Sequence, residues 1–176
     1  MSVFQHVRED AAEWWRRFWN QPNKAFRNFQ LVFTFLTLHF FFPSLTYYFS
    51  PQTAIGQLKG MGNLIGAGAY PFAEDGYVWR ILGAGNVLTI AFMCFLLQLN
   101  VRRFYLVLLP LCVLKASASF GFLGAYLFAY PYKPFLGVFI WDFTNVLMFL
   151  YFAHTAYWGL EEWGEETAVP RLFFKR

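Results

Sequence analysis

Charge is the scarcest thing in this sequence. Only 14% of its 176 residues are Asp, Glu, Lys or Arg, against about 25% in a typical soluble domain. A globule of this size could not cover itself with so little charge, and 24 Phe would leave wide apolar patches in water. The shortage excludes an ordinary soluble enzyme, a disordered tail and a nucleic-acid module. Cysteine is scarce as well. Cys94 and Cys112 lie in apolar runs without CxxC spacing or clustered His, so they read as structural thiols and not as a disulfide or metal site. A secretory signal is also missing, and the first apolar segment is expected to stay in place as a signal-anchor. So are catalytic signatures: there is no GxSxG, HExxH or paired-carboxylate motif, and Asp142 is the single acidic residue in the apolar segments. An intramembrane enzyme needs more than one positioned catalytic group.

What the sequence does have is apolar length. Residues 29–49, 79–99, 104–130 and 135–158 can each cross about 30 Å of hydrocarbon at about 1.5 Å per residue. The expected fold is an all-α integral membrane protein with four transmembrane helices. Asn100 to Arg103 and Pro131 to Pro134 are the only residues between the last three spans, and such short links predict antiparallel neighbours. Ten basic residues fall on one side: Arg8, Arg16, Arg17, Lys24, Arg27, Arg102, Arg103, Arg171, Lys175 and Arg176. Only Lys59, Arg80 and Lys133 fall on the other, and Lys115 lies within a span. That bias puts both termini in the cytoplasm, with a bacterial inner membrane as the expected setting. The net charge of +4 thus sorts by membrane side instead of forming a nucleic-acid patch.

Residues 2–19 read as an interfacial amphipathic helix. Phe4, Val7, Ala11, Trp14, Trp15 and Phe18 recur at three- and four-residue steps, with charges between them. Trp14, Trp15 and Trp19 beside Arg16 and Arg17 suit a membrane-surface anchor or a docking helix for a partner subunit. The 50–78 loop carries Gly56, Gly60, Gly62 and Gly66, two small-xxx-small pairs that predict a short, closely packed helix on or in the outer leaflet. A re-entrant pore or ligand-capping loop is the sharper alternative. The 159–176 tail, with Glu161, Glu162, Glu165 and Glu166 before an aromatic-basic end, reads as a partner contact or a second surface anchor.

Polar residues inside spans are the candidate site, because each ionisable one carries an insertion penalty of about 2.5 to 3.5 kcal/mol. Measured from the span ends, His39 lies about 15 Å deep, Lys115 about 18 Å, Asn86 and Asn145 about 20 Å and Asp142 about 24 Å. Every span then contributes to a midplane polar cluster of His39, Asn86, Lys115, Asp142 and Asn145. Lys115 and Asp142 form the obvious ion pair, with a height difference of about 6 Å against it. Ser117, Gly121 and Gly124 offer a small face for close helix approach. His39 and His154 are weak haem candidates, since their heights differ by about 9 Å.

These features point first to a non-catalytic accessory subunit of a larger integral membrane complex. Its aromatic surface would pack against other membrane subunits, lipid, or an apolar cofactor such as quinone or pigment. The alternatives are a small transporter or channel using the midplane cluster, or a quinone- or haem-binding redox subunit.

Overall fold

A computed structural model describes residues 12, 15–16, 23–71 and 77–163. Among them every regular element is helical: α1 Lys24–Phe49, α2 Pro51–Leu64, α3 Tyr77–Leu99, α4 Leu108–Gly124 and α5 Lys133–Trp163. A 3₁₀ turn, Tyr105–Val107, leads into α4, and a π-helical turn, Ala125–Ala129, ends it. Four stretches are long and apolar enough to cross a membrane: Lys24–Phe49, Ile81–Leu99, Tyr105–Ala129 and Lys133–Gly159. The expected amphipathic helix at 2–19 lies outside the described residues apart from Ala12, Trp15 and Arg16, which are exposed. Trp14, Arg17, Trp19 and the tail beyond Trp163 lie outside them entirely.

Helix α1 starts five residues before the hydropathy boundary because Asn23 caps it. The Asn23 Oδ1 accepts from the backbone N–H groups of Ala25 (2.8 Å) and Phe26 (3.2 Å), which satisfies two of the donors that a helix start leaves open. Its Nδ2 donates to the Gly159 carbonyl at 2.8 Å, so one side chain both starts α1 and ties it to α5. Gly159 makes room for this: a Cβ there would stand 2.9 Å from that nitrogen.

The buried face of α1 is a phenylalanine seam. Phe26, Phe29, Phe33, Leu36 and Phe40 alternate three- and four-residue steps, the spacing that keeps one stripe facing a neighbouring helix. Phe29 and Phe33 lie 4.4 Å apart between ring centroids, and Phe149 of α5 closes the stack at 6.0 Å from Phe33 and 6.2 Å from Phe40. Ala91, Cys94 and Leu97 of α3, Leu111 of α4, and Ala153 and Ala156 of α5 complete the same core.

Helix α1 packs chiefly against α3 and then α5, while α4 packs against α5. The spatial order is therefore α3, α1, α5, α4. The four-residue link from α3 to α4 does make them consecutive, yet they touch far less than α1 and α3 do. Shortness of a link limits separation at one end only. The polar side chains described below draw α3 onto α1.

Helix α2 occupies the first half of the 50–78 loop. It ends where Gly66 takes φ +61°, with Ala67 N–H bonded to Gly62 O (2.8 Å) and Gly66 N–H to Asn63 O (3.3 Å). This is a Schellman termination, and only glycine holds such a φ without strain. Tyr132, in the α4–α5 connection, fastens α2 by donating its hydroxyl to Leu58 O at 3.0 Å. Its ring lies against Gly62, where a Cβ would collide with it. The expectation of two close-packing glycine pairs is corrected here. Gly56 and Gly60 have open space beside them, and Gly66 serves the turn. Gly121 and Gly124 likewise meet nothing within 4 Å, and Ser117 is exposed, so among the described residues no helix lies against the small face of α4.

Candidate functional site

Lys115 of α4 joins three helices. Its Nζ lies 2.5 Å from Asp142 Oδ1 of α5 and 4.6 Å from the centroid of the Phe40 ring of α1. The ammonium is thus held between a carboxylate and an aromatic face, both of which attract a cation. Both side chains of the pair are 9% exposed. One turn further along α4, buried Ser119 donates to the carbonyl of Phe139 at 3.0 Å. Phe122 meets Phe135 beyond it, and Tyr105 meets His154 at the opposite end. The partners step in opposite directions along the two helices, which sets one antiparallel register from end to end.

That register removes the objection drawn from depth. Levelled on the Tyr105–His154 contact, Lys115 and Asp142 lie ten and twelve residues along, a difference of about 3 Å at the α-helical rise. The 3₁₀ turn before α4 rises faster than an α-helix and narrows it further. Trp158 lies four residues beyond the level of Tyr105 and His154, so depths on α5 counted from it are about 6 Å too large.

Asn145, one turn from Asp142, is 1% exposed, and its Nδ2 has no hydrogen-bond partner among the described residues. His39 lies one ring away from Lys115: it meets Phe40 edge-on at 5.0 Å and stacks on Phe35 at 5.6 Å. Its Nε2 accepts from Trp141 Nε1–H at 3.1 Å, which leaves the other ring nitrogen as the protonated one in the neutral form. Asn86 does not join these residues. It is exposed, together with Leu82 and Thr89, two residues and hence about 200° around the helix from buried Ala84.

The two histidines are also kept apart. His39 is level with Trp141, and His154 is thirteen residues further along α5 and bonded to Tyr105 OH at 3.4 Å. Thirteen residues rise about 20 Å, so these imidazoles cannot be the two axial ligands of one haem. Among the described residues no three of His, Cys, Asp and Glu come together to hold a metal ion.

A second polar group went unnoticed in the sequence. Gln98, buried near the end of α3, donates Nε2–H to Thr37 Oγ1 at 2.7 Å and accepts from Thr34 Oγ1 at 3.2 Å. Its backbone carbonyl accepts from Gln30 Nε2 at 3.2 Å. Gln30, Thr34 and Thr37 are spaced four and three apart and so share one face of α1. That spacing was the available signal, outshone by the ionisable residues. Interhelical hydrogen bonds of this kind contribute about 0.6 kcal/mol each. Gln98→Leu, which removes two, is expected to lower stability by about 1 kcal/mol in a detergent-unfolding titration. No change would mean that the Gln98 side chain does not hold α3 to α1.

At the end of the bundle marked by Asn23, aromatic and basic side chains form a ladder. Arg102 lies over the ring of Tyr157 (5.4 Å to the centroid), Tyr157 packs on Tyr105 (4.6 Å), and Trp158 meets His154 edge-on (6.1 Å). No protein-family model matches the chain, and no similar protein was found among curated sequences or solved structures.

Proposed function

We propose that this chain is a non-catalytic accessory subunit of a larger integral membrane complex, with both termini on the cytoplasmic side of a bacterial inner membrane. One observation carries the reading: most of the buried polar side chains inside the spans are used to tie helices together. Lys115 is committed to Asp142 and Phe40, Ser119 to Phe139, and Gln98 to Thr34 and Thr37. A transport path would instead line itself with polar side chains open to water, and a catalytic centre would hold a reactive group in reserve.

The outward faces support the same reading. Phe35, Phe42, Phe92, Phe120, Phe128 and Trp141 are each between 46% and 89% exposed. Such a surface suits lipid chains, partner helices or an apolar cofactor, since aromatic rings bury large areas at contacts. Orientation follows from the excess of Lys and Arg on one side. Blue-native electrophoresis after mild detergent extraction tests the proposal. Co-migration with other membrane proteins is expected, and migration as a free monomer or homo-oligomer would overturn it.

A further inference from the structure

We infer that the turn between α3 and α4, with the adjoining ends of α4 and α5, binds the headgroup of an anionic phospholipid. Arg102 and Arg103 are consecutive on this turn. The turn is pinned by the Arg103 N–H, which donates to Asn100 Oδ1 at 3.0 Å. Arg102 is half-buried over Tyr157, and the exposed Arg103 lies 6.0 Å from the centroid of Phe104. A guanidinium has five N–H donors in one plane, enough to engage a neighbour and still bond a phosphate.

Beside the arginines stand amphipathic groups suited to headgroup depth. The Tyr105 hydroxyl meets His154 Nδ1 at 3.4 Å, and Trp158 is 52% exposed. Directly beyond them along the helices the surface turns apolar. Leu106 of the 3₁₀ turn and Leu109 of α4 are 84% and 70% exposed, and Tyr151 of α5 is 64% exposed. Fixed positive charge above exposed apolar surface matches the two ends of one lipid molecule.

An arginine near a membrane surface raises the affinity for anionic lipid roughly five-fold. The full chain is reconstituted in phosphatidylcholine vesicles, and electron paramagnetic resonance compares spin-labelled phosphatidylglycerol with spin-labelled phosphatidylcholine at the protein surface. A preference for phosphatidylglycerol of at least roughly five-fold is expected. Arg102→Gln/Arg103→Gln should bring it close to parity, whereas the charge-conserving Arg102→Lys/Arg103→Lys and the neighbouring Lys24→Gln/Arg27→Gln should keep most of it. Equal association of both lipids with the unaltered chain would overturn the inference. So would a preference that survives Arg102→Gln/Arg103→Gln, including the case in which that variant releases a partner protein on a blue-native gel. Displacement of the labelled lipid by inorganic phosphate, beyond that caused by sodium chloride at equal ionic strength, would assign the site to a free anion instead.

Discussion

Asp142→Leu is expected to destabilise the bundle by about 3 to 5 kcal/mol, because it leaves Lys115 charged and unpartnered in the interior. Snorkelling offers little relief: at about 16 Å above the start of its span, Lys115 lies beyond the reach of a four-carbon stem to the headgroups. Phe40 would still face the ammonium, but a single ring is worth about 2 kcal/mol even when desolvated. The double variant Lys115→Met/Asp142→Leu should return to within about 1 kcal/mol of the natural chain or exceed it, since a well-packed apolar pair often matches a buried ion pair. Unfolding in mixed micelles with rising dodecyl sulfate, followed by near-ultraviolet circular dichroism, measures both. A stable Asp142→Leu would show that Asp142 is not what holds Lys115. A double variant as weak as the single one would show that the loss comes from shape and not from charge. The same double variant bears on function: a subunit whose pair is structural should still co-migrate with its partners on a blue-native gel.

The spans were legible because length and hydropathy are local properties. A run such as 79–99 needs no knowledge of its neighbours to be read as a crossing segment. Helix ends were read less well, since they depend on individual side chains. Asn23 is a good capping residue, but only the structure shows it starting α1 and reaching Gly159 at once. Lateral order was beyond the sequence altogether. Asn86 and Asn145 have the same apparent depth, yet one faces outward and the other is buried, because depth says nothing of rotation about the helix axis. Asp142 and Lys115 meet across α5 and α4, a contact whose relative height needed a register that the sequence does not carry. That register comes from pairs such as Ser119 with Phe139, whose backbone acceptor leaves no mark in composition. Small residues misled for a related reason. Gly62 and Gly159 do permit close contacts, but with single side chains, Tyr132 and Asn23, and not with a whole helix.

The abundance of phenylalanine resolves into two populations with different consequences for mutation. Phe33 is fully buried between Phe29 and Phe149, whereas Phe35, two residues on, is 52% exposed. In water-soluble proteins Phe→Ala in a core costs about 3 to 5 kcal/mol, of which part is the transfer of the ring out of water. Within a bilayer that part largely vanishes, because lipid chains solvate an aromatic ring about as well as a helix interface does. What remains is the void and its lost contacts, at about 24 cal/mol per Å³ of unfilled volume. Phe33→Ala is therefore expected to lose about 2 kcal/mol, and Phe35→Ala less than about 0.5 kcal/mol, as for substitutions away from buried features. Thermal unfolding in the same detergent gives the comparison directly. A loss near the soluble-protein value at Phe33 would mean that water reaches this part of the bundle when it opens. Equal losses at the two positions would mean that the seam on α1 is not what holds α1, α3 and α5 together.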